Sequence, residues 1–465
     1  MKTGWQNKRL DEVCHFTNGL WKGKKPPFLT VGVIRNTNFT KNGTLNDSDI
    51  AYIEVEAKKF EKRRLQFGDI ILEKSGGGPK QPVGRVVLFD KEDGDFSFSN
   101  FTAALRVKDA DELDFRYLHK CLFWIYQSGV TEGMQSHSTG IRNLDGDAYK
   151  AIEVRFPPLP EQRRIVGILD EAFAGLATAQ ANAEKNLQNA RALFESHLRS
   201  VFSQRGPGRV EAEKGKPILE ERQRPADNAQ MARLHAGFVT RTGGRVATTR
   251  HIPGPLSLSV GMPNVPPKKG WRWSALSDLA RLESGHTPSR RHPEYWGGPI
   301  PWIGIQDARC HHGREIENTA QTINELGTAN SSARVLPAHT VCLSRTASVG
   351  YVVVMGCPMA TSQDFVNWVC SDNLIPNFLK YVFLAEGRDG LLRYASGSVH
   401  QTIYYPEAKA FHICHPTPDQ QRKIVEQCDV LATETQRLAR LYDHKQTALA
   451  ALKSSLLHQA FTGAL

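Results

Sequence analysis

The chain contains an internal repeat, and that repeat limits what it can fold into. Phe156-Pro-Pro-Leu-Pro-Glu-Gln-Arg-Arg-Ile-Val166 matches His415-Pro-Thr-Pro-Asp-Gln-Gln-Arg-Lys-Ile-Val425 at an offset of 259. The same offset, without a gap, aligns Ala192-Leu193, Ser196, Leu198 and Phe202 with Ala451-Leu452, Ser455, Leu457 and Phe461. The intervening segments therefore have equal length. Upstream, Trp5, Leu10, Glu12, Val13 and Gly19 align with Trp271, Leu276, Asp278, Leu279 and Gly285 at an offset of 266. Each half is a block of about 150 residues followed by one of about 50, the pattern of a tandem duplication.

The shorter blocks read as long helices. Val166, Leu169, Phe173, Leu176, Ala183, Leu187, Ala190, Phe194 and Val201 recur at three- and four-residue spacing in the first. Ile424, Cys428, Leu431, Leu438, Tyr442, Leu449, Leu452 and Leu456 do so in the second. That makes one apolar stripe per helix over several heptads. Pro160 and Pro418 suit a first turn, where a fixed φ helps and a missing N–H does no harm. About 42 residues at 1.5 Å each make a rod of roughly 63 Å. A single stripe cannot bury itself, so the two helices are expected to pair with each other.

The longer blocks read as mixed α/β. In the first, 67–78 and 83–89 look like strands around a Gly-rich turn, and 115–129 like a helix. In the second, 339–345 and 349–355 repeat the strand–turn–strand, and 377–387 the helix. Each block closes on a polar Ser/Thr/Gly segment, 135–144 and 397–403, and then a short strand. The expected fold is thus two α/β (α+β) heads in tandem, separated by two long antiparallel coiled-coil helices with pseudo-twofold symmetry. The expected boundaries are 1–155 and 271–415 for the heads, 156–204 and 416–465 for the helices, and 205–270 for a linker. That linker carries 9 Gly and 8 Pro, with 12 Lys and Arg against 5 Asp and Glu. Most of the chain's net charge of +11 sits there, so global charge says little about a polyanion partner.

Catalytic patterns do not emerge. Ser75-Gly-Gly-Gly-Pro-Lys80 lacks the G-x-x-x-x-G-K-[ST] of a phosphate loop and reads as a hairpin turn. Lys25-Pro-Pro-Phe28 lacks the leading Asn or Asp of an amino-methyltransferase site, and no glycine-rich cofactor loop follows a strand. Cys310-His311-His312 and His412-Ile-Cys414-His415 lack zinc-finger spacing, and no G-x-S-x-G occurs. The eight cysteines are scattered without a C-x-x-C, as for reduced cytosolic thiols. No apolar run approaches the length of a membrane span, and the start lacks the apolar core of a signal peptide. The chain reads as non-catalytic and metal-free.

Two similar heads on paired rods suit a long partner with two sites, and duplex DNA is one such partner. Base edges are read by Arg, Lys, Asn, Gln, Ser and Thr. Candidate DNA contacts in the first block are Arg35, Asn36, Lys74, Ser75, Lys80, Gln81, Arg142 and Asn143. In the second they are Ser289, Arg290, Arg291, Arg345, Thr346, His400, Gln401 and Thr402.

The two proline-rich turns running into Gln-Arg-Arg/Lys-Ile-Val, the opening Trp5 and Trp271, and the closing LLHQAFTGAL resemble the specificity (S) subunits of type I restriction–modification enzymes. The resemblance covers the chain except 205–270. It implies that each head is a target recognition domain reading one half of a split DNA sequence. It implies that the helices set the spacer and dock two methyltransferase (M) subunits, with Val166, Leu169, Phe173, Leu176, Leu187, Phe194, Ile424, Leu431, Leu438, Tyr442, Leu449, Leu452 and Leu456 as pairing or docking candidates. S-adenosylmethionine would lie in the M subunits, which methylate adenine N6. ATP and Mg2+ would lie in restriction (R) subunits of a cleaving complex, and this chain would hold no cofactor. The setting implied is the cytoplasm of a bacterium or archaeon, away from any membrane. A self-contained DNA enzyme and a coiled-coil adaptor between proteins are the competing readings.

Overall fold

The structure, a computed structural model, describes residues 4–78, 81–138, 141–204, 251–397 and 400–465. Lys80, most of the expected linker (205–250) and the tips of both polar segments lie outside the described residues. The chain divides into two units, Met1–Asn186 with Leu441–Leu465, and Leu187–Arg440.

In the first unit, Gln6–Arg9 pairs antiparallel with Glu153–Phe156, which brings the block's start to its end. A four-stranded sheet runs in the order Cys14–Asn18, Thr102–Val107, Ile70–Glu73, Val86–Leu88. A second sheet runs Ala51–Glu56, Phe28–Ile34, Phe96–Phe98, the last pair parallel. Helix Phe115–Gln127 starts at Asp114, whose carboxylate accepts from the N–H groups of Arg116 and Tyr117. Its Leu118, Cys121, Leu122 and Ile125 recur at helical spacing and are buried. They share a core with Ile165, Val166 and Leu169 from the start of the first long helix, and with Leu457, Ala460 and Phe461 from the end of the second.

The second unit repeats this plan. Phe411–His415 lies between Leu258–Val260 and Arg272–Ala275. One sheet runs Ala280–Ser284, Phe365–Cys370, Val341–Ser344, Val352–Met355, Glu315–Ile316. Another runs Gln321–Ile323, Trp296–Ile303, Ala360–Thr361, the last pair again parallel. Helix Pro376–Leu391 covers the core with Phe378, Leu379, Val382 and Phe383. Leu198 and Phe202 from the end of the first long helix, and Val425 and Cys428 from the start of the second, complete that core.

Two departures from the sequence reading are physical. The end of the expected linker is folded: Leu258 and Val260 are fully buried in a strand, with Gly261 N–H bonded to Ala410 C=O. The alternation Leu256-Ser257-Leu258-Ser259-Val260 is a strand pattern that the surrounding prolines and glycines mask. The Ser hydroxyls are satisfied locally, Ser257 donating to Phe202 C=O at 2.8 Å and Ser259 to Gly261 C=O at 2.9 Å. The Gly-rich run is also not simply a turn. Ser75–Gly77 forms a short strand against Ile141–Leu144, and the reversal is closed by reciprocal Gly78–Gln81 hydrogen bonds at 3.0 and 3.1 Å.

The repeated motifs have structural reasons. A Cβ on Gly19 would lie 1.8 Å from Ser99 C=O, and one on Gly285 would lie 2.0 Å from Ser362 C=O. Both strand ends pass a neighbouring backbone too closely for any side chain. Gln162 and Gln421, the shared glutamines of the proline-rich turns, are fully buried. Gln162 donates to Pro157 and Glu112 C=O at 2.8 and 2.9 Å and accepts from Asp114 N–H at 2.8 Å. Gln421 donates to Pro416 and Asn373 C=O at 3.0 and 3.1 Å and accepts from Ile375 N–H at 2.9 Å. Each glutamine ties a long helix to the start of its head's own helix. Gln162→Ala strands three backbone groups, and a loss of about 3 kcal/mol is expected in denaturant unfolding. An unchanged midpoint would contradict the tie.

The long helices span Leu159–Phe202 and Pro418–Thr462. Val166, Leu169 and Leu176 are buried, and Phe173, Leu187 and Phe194 are half-buried. Ile424, Leu431, Leu438, Tyr442, Leu449 and Leu456 are half-buried as well. Leu452 departs from the expected stripe, at 49% exposure. Its neighbour Lys453 takes the inner position, with its amine over the rings of Phe173 and Phe123 and hydrogen-bonded to Asn42 at 3.1 Å. A long aliphatic stem with a polar tip can serve there as well as leucine.

Candidate nucleic-acid interface

In the first unit two of the candidate residues, Asn36 and Gln81, meet a charge pair that the sequence reading passed over. Glu73 closes an apolar strand and is 1% exposed. Arg85 grips it with both arms, Nε to Oε2 at 2.6 Å and Nη2 to Oε1 at 2.9 Å. Asn36 donates to the same carboxylate at 3.2 Å, and Arg85 returns to Asn36 C=O at 3.1 Å. Gln81, with its amide oxygen toward Arg85, accepts from it at 2.7 Å. One residue beyond Glu73, Lys74 donates to Asn18 at 2.8 Å, and Ser75 donates to Asn143 at 2.5 Å. Burial lowers the Lys74 pKa. Arg142 is half-buried. Arg35 turns the other way, to the carbonyl and carboxylate of Asp49 at 2.8 and 3.0 Å.

In the second unit the corresponding strand ends in Ser344, followed by Arg345 and Thr346. Arg345 donates to Gln363 C=O at 3.2 Å, and burial lowers its pKa. Thr346 shares a hydroxyl hydrogen bond of 2.6 Å with Thr402. His400 and Gln401 are exposed beside it. The side chain of Gln363 accepts from Thr287, which brings the 287–291 segment to the same place. Arg290 lies 4.1 Å from the Trp296 ring and 5.4 Å from that of Trp302, and donates to Gln321 at 2.8 Å. Ser289 is spent locally, its carbonyl accepting from Trp296 Nε1 at 3.4 Å and its hydroxyl from Arg291 N–H at 3.4 Å. The Arg291 side chain is exposed. Thr287, Arg290, Trp302, Gln321 and Gln363 line an open cleft of 610 Å³.

The two heads thus carry a basic residue and a hydroxyl at the same strand end, Lys74-Ser75 and Arg345-Thr346. Each hydroxyl is tied to the polar segment that closes its block. The sequence reading missed Glu73, Arg85, Gln321, Gln363, Trp296 and Trp302. A charge set in each of two adjacent apolar strands, Glu73 after Ile-Ile-Leu and Arg85 before Val-Val-Leu, was the available signal for the first pair. The tryptophans stand in a Gly/Pro-rich stretch, Trp296-Gly-Gly-Pro-Ile-Pro-Trp302.

The Cys/His runs are occupied locally. His312 accepts from Val352 N–H at 3.1 Å, and His415 bonds to Ser274 and to Pro416 C=O, each at 3.0 Å. His412 bonds to Ala410 C=O at 2.9 Å. Among the described residues no group of three or more His, Cys, Asp or Glu is placed to hold a metal ion, and no helix is long and apolar enough to cross a membrane.

Two heads of one plan, each with a donor-bearing polar edge and each built on the ends of two long helices, define a tandem-repeat protein with two like domains. Residues 2–187 and 268–441 match the type I restriction modification DNA specificity domain, and the chain belongs to that family. It is 31% identical over 157 residues to the type I restriction enzyme MjaIX specificity subunit of Methanocaldococcus jannaschii, covering 34% of this chain and 36% of that one. It is 32% identical over 111 residues to the HindI specificity subunit of Haemophilus influenzae, covering 24% of each. These alignments span about a third or less of the curated relatives. The fold matches a chain solved in work on complex assembly and conformational transition of the type I R-M system, with TM-score 0.71, 17% identity and coverage of 100% and 99%. It also matches the HsdS subunit from Thermoanaerobacter tengcongensis, with TM-score 0.55, 17% identity and coverage of 100% and 98%.

Proposed function

We propose that this chain is the DNA sequence-specificity subunit of a type I restriction–modification complex, each head reading one half of a bipartite duplex target. The observation that carries the reading is the repeated basic–hydroxyl pair, Lys74-Ser75 and Arg345-Thr346, at one strand end of both heads in a chain of this family. Helices of 44 and 45 residues rise about 66 Å, a length that suits a fixed gap between half-sites. Exposed apolar residues on them, Leu193 at 66% and Val430 at 64%, offer docking points for two M subunits. Chemistry on a base requires it to leave the stack. In this reading that step belongs to the M subunits with S-adenosylmethionine, and cleavage to R subunits with ATP and Mg2+. The chain itself binds and positions without catalysing.

Co-expression with the cognate M subunit, followed by sequencing of adenine methylation across the host genome, tests the proposal. The expected result is one split motif, two fixed halves with a constant gap, methylated once per strand. A soluble, intact complex that leaves no methylated motif would remove the DNA-reading role and favour a protein adaptor.

A further inference from the structure

We infer that Arg290 reads a guanine from the major-groove side in the half-site of the second head. This rests on the DNA-reading role proposed above and assigns it to one residue and one base. Two observations separate Arg290 from the other basic candidates. Its guanidinium is held before any ligand arrives: Trp296 faces it at 4.1 Å, Trp302 stands at 5.4 Å, and Gln321 accepts from Nη2 at 2.8 Å. The tryptophans are themselves braced, edge to face at 5.2 Å and 81°, with Trp302 Nε1 donating to His286 C=O at 3.1 Å. A stacked guanidinium keeps its edge free while losing little freedom on binding. By contrast, Arg345 spends Nε on Gln363 C=O, and Arg291, exposed as Arg290 is, has no aromatic ring against its guanidinium among the described residues.

The second observation is the polarity of the cleft. Gln321 spends its side-chain oxygen on Arg290, and Gln363 spends its own on Thr287. Among the described residues their amide N–H2 groups have no partner, and neither do Nη1 of Arg290 and the second N–H of its Nη2, the two donors of one guanidinium edge. The nearby acid Asp307 is already satisfied, its oxygens accepting from Gly304 and Ala320 N–H at 3.0 and 2.8 Å. Asp364 accepts from Ser362 at 3.1 Å. What remains is a surface rich in donors around a rigid fork. Guanine is the base that presents two acceptors, O6 and N7, side by side in the major groove, and arginine pairs with both. Adenine and cytosine present an amino donor there and are disfavoured. The first head has no such fork: the loop at the same place reads Trp21-Lys-Gly-Lys-Lys25, with Trp21 exposed at 68%. The two half-sites therefore differ.

The test uses the full chain with its M subunit, as Arg290→Ala and Arg290→Lys, read by methylome sequencing. Both variants should lose selectivity about 10- to 100-fold at one guanine in one half of the motif, leaving the other half unchanged. Arg290→Lys keeps the charge and can keep the stacking, so it guards against a folding defect in Arg290→Ala. A synthetic duplex with 7-deazaguanine at that position should be methylated more slowly by the wild-type complex, and the variants should not distinguish it from guanine. If the wild type shows a split motif that Arg290→Ala and Arg290→Lys both leave intact, or if the 7-deaza duplex reacts normally, this assignment is overturned while the DNA-reading role stands. A wild type without any split motif overturns both.

Discussion

Replacing Phe461 by alanine is expected to destabilise the first head by about 3–5 kcal/mol, although Phe461 lies on the second long helix. Its ring is 4% exposed, packs edge to face on Tyr117 at 5.3 Å, and stacks on Trp124 at 5.7 Å. Leu457 and Ala460 enter the same core with exposures of 1% and 0%. The first block therefore cannot close its own core; the end of the second long helix closes it. Hydrogen exchange on the full-length variant should rise across 4–156 and stay unchanged across 258–415. A fragment ending at residue 204 should show the same loss, and a peptide of residues 441–465 added in trans should reverse it. Undisturbed protection of the first head in Phe461→Ala would mean that this packing contributes little.

The second large effect is expected at Glu73. Its carboxylate is buried against Arg85, which is only 12% exposed and lies 5.5 Å from the Phe39 ring. Glu73→Ala leaves that guanidinium without its counter-charge, at a cost of about 3–5 kcal/mol. It also frees Asn36 and Gln81, which the pair holds in place beside Lys74 and Ser75. Replacing both charges by apolar residues of similar size, Glu73→Leu with Arg85→Met, should restore most of the stability, because the desolvation cost of the pair goes with it. Selectivity in the half-site of the first head should not return with stability. Denaturant unfolding and methylome sequencing on the same variants separate the two. A double variant that regains the motif would show that the pair stabilises the head without shaping its reading edge.

The duplication, the two long helices and the mixed heads were all legible, because each leaves a periodic mark in the chain. The helical stripe repeats every three to four residues, and the proline-rich turns recur at one offset. Leu452 shows where periodicity stops being enough. It has the right spacing, but the fold places Lys453 inward over Phe173 and leaves Leu452 in solvent. Strand Leu258–Val260 was hidden by the prolines and glycines around it, and it became a strand because Phe411–Ile413 was there to pair with. The candidate site was legible in residue type only. Lys74-Ser75 and Arg345-Thr346 are ordinary dipeptides until the sheets place them at one strand end. Arg35 has the right chemistry, but Asp49 engages it.

By itself the sequence determined that the chain is two copies of one plan, each a head followed by a rod. Covalent order and local periodicity suffice for that. Only the tertiary structure decided which residues meet. Phe461 completes a core that begins at Leu10, Glu73 and Arg85 neutralise each other beneath a polar edge, and Arg290 rests against two tryptophans. These contacts join residues that are distant in the chain or separated by turns. Their energies come from burial and hydrogen bonding, which exist only once the chain has closed around them.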